Sequence, residues 1–299
     1  MINIVKTRRI WLTFSTVMFV LAVIAISVWG LRFGIDFTGG SILEVEYAQD
    51  VPSLDTIRSQ IEPLNIGDVD VKGSGEKGVI LRFKEVDQPI HQAIIDALHA
   101  SGDLTENSFD SIGPVIGNEL RTKSTWAIGI ALVLILAYIS YVFRKVSHTV
   151  ASWKYGVIAI VALLHDVIFV IGIFSVLGQF AGIEITAAFI AAFLTVLGYS
   201  VNDTIVVFDR IRENLLKRGG QFEDVVSMSL NQTIMRSLNM SATVILVLLA
   251  IILFGGETLQ YFALALLLGV AVGTYSSIFV ASPLLVVWHN YTRRIKHRT

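Results

Sequence analysis

Cysteine is absent from the chain, which excludes disulfides, zinc-thiolate sites and cysteine nucleophiles and says little about compartment. Proline is scarce, with five residues, so a Pro-rich disordered class is excluded. Charge is scarce too: 16% of the 299 residues are charged, against about 25% in an average soluble domain. A net charge of −1 removes any case for bulk electrostatic binding to nucleic acid. Zinc motifs, a G-x-S-x-G elbow and a phosphate loop are all missing, so a hydrolase is the least supported class, and no metal or cofactor is expected. What fills the chain is apolar, at 54% hydrophobic residues and a mean hydropathy of +0.69. This is the composition of a membrane protein.

The small net charge hides two populations. Residues 31–124 hold 8 basic and 16 acidic side chains, whereas the rest of the chain holds 15 basic and 8 acidic. An acidic soluble domain is therefore expected inside a basic membrane protein. Crossing roughly 30 Å of hydrocarbon takes about 20 mostly apolar residues. Six segments qualify, at 10–29, 125–143, 155–177, 185–208, 238–254 and 259–288. Only the third and fourth contain charged or histidine side chains at depth, His165 and Asp166 in one and Asp203 in the other.

Orientation follows from Lys and Arg in short loops. One side collects fifteen: Lys6, Arg8, Arg9, Arg144, Lys145, Lys154, Arg210, Arg212, Lys217, Arg218, Arg236, Arg293, Arg294, Lys296 and Arg298. The short opposite loops, 178–184 and 255–258, hold none. Both termini, including a basic tail at 289–299, and the loop 209–237 are thus expected in the cytoplasm, with 31–124 outside. Segment 1–30 also looks like a secretory signal, but its apolar run is longer than about 7–15 residues and ends in bulky Val28 and Trp29, so it is expected to remain as an anchor.

In the outer segment, 41–47 alternates as a strand, 53–64 carries Leu54, Ile57, Ile61 and Leu64 at helical spacing, and 68–72 and 79–83 read as short strands. A second helix is read over 89–100, and a last extended stretch near 108–112 leads back to the membrane. The order β-α-β-β-α-β predicts a ferredoxin-like α+β domain between the first two spans of a six-helix polytopic protein. The run Gly73 to Gly78 matches G-x-G-x-x-G, but a strand follows it rather than the helix a pyrophosphate needs, so it is read as a hairpin turn.

A carboxyl in the bilayer costs a few kcal/mol, roughly 2.5–3.5 for Asp on insertion scales, and by default marks a pathway. Asp203 lies seven residues in from Arg210, about 10 Å at 1.5 Å per residue. Gly198, Ser200, Asn202 and Thr204 around it allow close helix approach, hydrogen bonding and water entry. The functional reading is a proton acceptor; the plain alternative is a fixed hydrogen-bond or ion-pair partner. Arg236 begins the fifth span on the same side and suits either a partner of Asp203 or a snorkelling cation, with Asn239 and Ser241 extending the polar strip. His165 and Asp166 lie near midplane, and because adjacent helix residues diverge by about 100° they cannot both face one neighbour. Glu184 reads as an interfacial charge. Phe222, Val225, Val226 and Leu230 suggest an amphipathic interfacial helix, and Gly269 with Gly273 a packing seam.

At these residues the chain resembles the SecF family of the bacterial Sec protein-export machinery, within the SecD/SecF family and a half-sized relative of the resistance-nodulation-division transporters. The resemblance rests on Phe33-Gly-Ile-Asp-Phe-Thr-Gly-Gly40, on Leu164-His165-Asp166, on the run from Gly198 to Asn214 that contains Asn202 and Asp203, and on Arg236-Ser237-Leu238-Asn239. It implies pairing with SecD, association with SecYEG and YajC, indirect work with SecA, and use of the proton motive force to draw an unfolded polypeptide outward across the inner membrane. It also implies a proton pathway through Asp203 and Arg236; Asn202 is grouped with that pathway on the reading of the residues, with Asn239 and with His165 and Asp166 as supporting residues, at least one of the last two serving packing or hydrogen bonding. Gly34, Asp36, Gly39 and Gly40 match a signature whose role is read as structural. Two rival readings are half of an exporter of lipids or small solutes and a non-titrating structural subunit of the translocon.

Overall fold

The computed structural model describes residues 4–143, 152–218 and 220–296. Arg144, Lys145 and Arg298 of the basic set lie outside the described residues, as do the side chains of Arg218, Arg294 and Lys296. The elements run α1 (Arg8–Trp29), α2 (Ile35–Thr38), β1 (Gly40–Tyr47), α3 (Leu54–Ile61), β2 (Asp70–Ser74), β3 (Gly78–Phe83), α4 (Gln88–His99), β4 (Leu104–Ile112), α5 (Pro114–Val142), α6 (Ser152–Ala181), α7 (Ala187–Arg218), α8 (Phe222–Phe254), α9 (Glu257–Ser276), a π-turn (Ser277–Ala281) and α10 (Ser282–Lys296). The chain forms two compact units, Phe33–Thr125 and the helical remainder.

In the smaller unit the four strands form one antiparallel sheet in the order β2-β3-β1-β4. Alternation along β1 turns Leu43, Val45 and Tyr47 inward, onto Ile57 and Ile61 of α3 and Ile94 and Leu98 of α4. Each such buried aliphatic side chain contributes about 1.5–3 kcal/mol. Ser53 caps α3 by accepting from Thr56 N at 3.1 Å, and Asp87 caps α4 by accepting from Ile90 N at 3.3 Å. Pro63 then breaks the helical run into a short 3-10 turn, Glu62–Leu64, that ends in left-handed Asn65 (φ 52°). The glycines at 73–78 do form a hairpin, Ser74 pairing with Gly78. The last extended stretch is longer than the sequence indicated, because β4 pairs with β1 along its whole length around a bulge at Glu44/Val45.

The signature glycines have a visible physical reason. Gly39 (φ 74°) sits where a Cβ would lie 2.8 Å from Pro114 Cα, and Gly40 (φ 125°) where one would lie 2.9 Å from the Phe83 carbonyl oxygen. Only glycine combines these dihedrals with backbone that close. Asp36, half-buried, lies in the first turn of α2, just before this double turn.

Among the described residues, six helices are long and apolar enough to cross a membrane: Arg8–Trp29, Pro114–Val142, Trp153–Ala181, Ala187–Lys217, Phe222–Phe254 and Leu259–Arg293. Four differ from the sequence reading. The helix of the second span begins at Pro114, at a position where a missing N–H costs nothing. The segment after Phe208 is not an interfacial helix: α7 continues to Arg218, and Phe222, Val225, Val226 and Leu230 form the buried face of α8's first turns. Asn214 ties the two helices, donating from Nδ2 to Ser229 Oγ and to Gln232 Oε1, both at 2.9 Å. The sixth span, in turn, is interrupted by the π-turn at Ser277–Ala281.

Close helix approach fixes the arrangement of the bundle. A Cβ at Gly269 would collide with Val196, and one at Gly273 would lie 2.9 Å from Ser200 Cβ, so the two glycines form the seam of α9 against α7. Gly172 meets Ala22 in the same way where α6 crosses α1. At one end, Glu223 joins three helices, pairing with Arg8 at 3.2 Å and accepting from Asn290 Nδ2 at 2.6 Å.

Candidate functional site

The polar side chains of the bundle converge where α6, α7, α8 and α9 meet. Asp166 on α6 is fully buried. Its Oδ2 accepts from Ser200 Oγ of α7 and from Ser276 Oγ of α9, each at 2.7 Å, and its Oδ1 lies 3.0 Å from His165 Nδ1. The two neighbours diverge as helical geometry requires: Asp166 points toward α7 and α9, while the His165 ring lies parallel to Phe19 of α1 and reaches back to the carboxylate through one nitrogen. The other nitrogen, Nε2, is buried and has no hydrogen-bond partner among the described residues.

Asp203 on α7 is 7% exposed. Oδ1 accepts from Ser237 Oγ of α8 at 2.5 Å, and Oδ2 accepts a short bond from Ser277 Oγ. One donor to each carboxylate is thus one of two consecutive residues, Ser276 ending α9 and Ser277 opening the π-turn. A π-turn displaces the i→i−4 ladder by one residue, and Ser282 Oγ covers the carbonyl of Ser277 at 3.1 Å. The polar strip continues outward: Ser241 donates to the Ser237 carbonyl at 2.9 Å and bonds Thr274, and Tyr199 donates to Ser241 at 3.2 Å.

Of the residues singled out from the sequence, the structure brings Asp203, Asp166 and His165 into one hydroxyl-lined cluster. It does not bring Arg236 to Asp203. Arg236 is exposed on this chain and makes no ion pair or hydrogen bond among the described residues; its neighbour Ser237 takes the bond to the acid. Asn202 and Asn239 are exposed as well. Sequence reasoning passed over Ser237, Ser276 and Ser277 as donors. The one available signal was the polar run Thr274 to Ser277 in an otherwise apolar span.

Chemically, two carboxyls sit in apolar surroundings with hydroxyls and one imidazole as partners and, among the described residues, no Lys or Arg in contact. Burying a charge without a counter-charge is costly. A hydroxyl can donate to a carboxylate or accept from a carboxylic acid, so each acid can gain or lose a proton while its heavy atoms stay in place. Among the described residues no group of three or more His, Cys, Asp or Glu could hold a metal ion.

Residues 93–291 match the family of protein export membrane proteins SecD/SecF, C-terminal, and residues 24–51 match the SecD/SecF GG motif. The chain is 44% identical over 304 residues to protein translocase subunit SecF of Thermobaculum terrenum, covering 97% of this chain and 95% of that one. It is 39% identical over 295 residues to the SecF subunit of Anaerolinea thermophila, with the same coverage. Among solved structures it is similar to SecDF of Thermus thermophilus, a translocon-associated membrane protein, at a TM-score of 0.82 and 34% identity over 97% of this chain. A super-membrane-facing form of SecDF matches at a TM-score of 0.72 and 33% identity. The chain spans 39% and 40% of those two chains.

Proposed function

The chain belongs to the SecD/SecF family of protein export membrane proteins, and from that premise we propose that it is the SecF half of a proton-driven pair with SecD. The pair uses the proton motive force to promote late stages of protein translocation across the bacterial inner membrane, together with SecYEG, YajC and, indirectly, SecA. Both termini and the α7–α8 hairpin lie in the cytoplasm. The β-α-β-β-α-β unit is a ferredoxin-like module on the periplasmic side.

The observation that carries this reading is Asp203: a buried carboxyl held by serines from two other elements and, among the described residues, touching no cation. Protonation removes the buried charge and reverses the sense of one of its two bonds, to Ser237 or to Ser277, while the other oxygen goes on accepting, so the packing of α8 and the π-turn against α7 responds to the proton. Arg236 precedes Ser237, and one residue is about 100° of helix rotation. A turn of α8 by that amount exchanges the serine for the guanidinium, which favours the ionised acid. One charge crossing 100 mV yields about 2.3 kcal/mol, enough to shift a two-state equilibrium about fiftyfold.

The test is export into inverted vesicles with and without a proton gradient. Asp203→Asn is expected to insert and assemble at wild-type abundance and to lose the stimulation by the gradient. Wild-type stimulation in that variant would refute the proton role. Normal activity per complex at reduced abundance would instead favour a structural subunit whose buried acid never titrates.

A further inference from the structure

We propose that Asp166, oriented by His165, is a second acid whose charge sets the proton affinity of Asp203, the two being coupled through the consecutive serines 276 and 277 at the head of the π-turn. This rests on the reading of Asp203 as the proton-exchanging acid and adds the group that tunes it.

The argument begins with what holds Asp166. It is the more deeply buried of the two carboxyls, and every partner it has is fixed by a different helix: Ser200 by α7, Ser276 by α9 and His165 by its own α6. The basic group in contact with Asp166 among the described residues is this imidazole, whose Nε2 has no partner there. A neutral ring donating from Nδ1 leaves a bare lone pair at Nε2, whereas a doubly protonated ring would bury an N–H there with nothing to accept it. An ionised Asp166 therefore carries its negative charge unneutralised.

The link to Asp203 runs through one hydrogen bond at each acid to two covalently adjacent serines. Consecutive Cα atoms stand about 3.8 Å apart, so the donor to one acid is fixed relative to the donor to the other. Ser200 adds a second route, because it donates to Asp166 while its carbonyl accepts from Thr204, the residue after Asp203. The two acids see few other charges. From α7 the titratable groups at this level are Asp203 and Tyr199; from α8 it is Arg236, exposed and bonded to neither acid; from α9 it is Tyr275, whose hydroxyl bonds Ser15 of α1 at 2.9 Å. Between residues 10 and 29 α1 presents no charged side chain, and the π-turn has none. Like charges in a poorly solvated site oppose each other's ionisation. Proton uptake at Asp166 thus eases release at Asp203, and ionisation of Asp166 retards it. The serine step carries the mechanical half of this coupling, since the bond that Ser276 makes decides where Ser277 stands. Asp166 is in this sense a positioning residue for Asp203.

The experiment is infrared titration of the full chain reconstituted with SecD in lipid vesicles, the Asp203 band being identified as the one missing from Asp203→Asn. In Asp166→Asn the midpoint of that band is expected to fall by about one pH unit. Ser276→Ala keeps both acids but weakens the hold on Asp166, and is expected to move the midpoint in the same direction by less, with Ser276→Thr restoring it. A role confined to packing would lower complex abundance and leave the midpoint in place. An unchanged midpoint in assembled Asp166→Asn and Ser276→Ala overturns the coupling, and so does an Asp203 band that never titrates. Gradient-stimulated export by Asp203→Asn is scored separately, so loss of the coupling and loss of the underlying proton role are told apart.

Discussion

A carboxyl whose partners are hydroxyls behaves differently from one locked to a cation, and that difference was only half legible in the residues. Asp203, His165 and Asp166 stand out because charge in an apolar run is expensive. Their serine donors do not, since a serine in a membrane helix bonds its own helix as readily: Ser241 and Thr204 do so here, each to the carbonyl four residues back. Arg236 was legible as a cation at the right depth, yet the side chain at the acid belongs to its neighbour, a one-residue matter that helical phase alone could not decide. The signature glycines are the counterpart in the soluble unit. Gly39→Ala places a Cβ at positive φ against Pro114 and is expected to destabilise that unit by about 1–3 kcal/mol. A lowered urea midpoint for protease cleavage within residues 33–125 of the membrane-inserted chain would show it; an unaltered midpoint would mean that the double turn relaxes freely.

At the scale of elements, the sequence patterns located the apolar cores of all six long helices and the order of strands and helices in the soluble unit, because burial periodicity is strong in both. Boundaries were missed where charge resembled a loop. Asp209, Arg210, Arg212 and Glu213 suggested an exit from the helix, whereas with Lys217 they form pairs on one continuing helix: Arg212 with Asp209 at 3.1 Å, Arg210 with Glu213 at 2.5 Å and Lys217 with Glu213 at 2.7 Å. The π-turn left no pattern at all, since one displaced hydrogen bond does not disturb hydropathy. The α7–α8 hairpin gives a direct test. Asn214→Ala leaves Ser229 and Gln232 without their shared donor, and is expected to cost the hairpin about 1–3 kcal/mol. Faster proteolytic nicking between residues 209 and 237 in inverted vesicles is the readout; wild-type resistance would show that the buried apolar face alone holds the pair.

For the molecule as a whole, the acidic stretch 31–124 stands apart from the basic remainder in composition, and the structure forms two compact units, Phe33–Thr125 and the rest. The convergence of four helices on one polar cluster was not readable in the sequence, because it depends on a crossing of α9 against α7 set by Gly269 and Gly273 rather than on any segment by itself. The proposed function needs that convergence: a proton at one buried acid must be felt on α6, α7, α8 and the π-turn together. The most direct test follows the protonated-carboxyl infrared band of Asp203 in wild-type complexes in vesicles, as pH is varied and a gradient is imposed and dissipated, with Asp203→Asn as the blank. The account predicts a band that appears and vanishes reversibly with the gradient. A band that stays constant under every pH and gradient would contradict it.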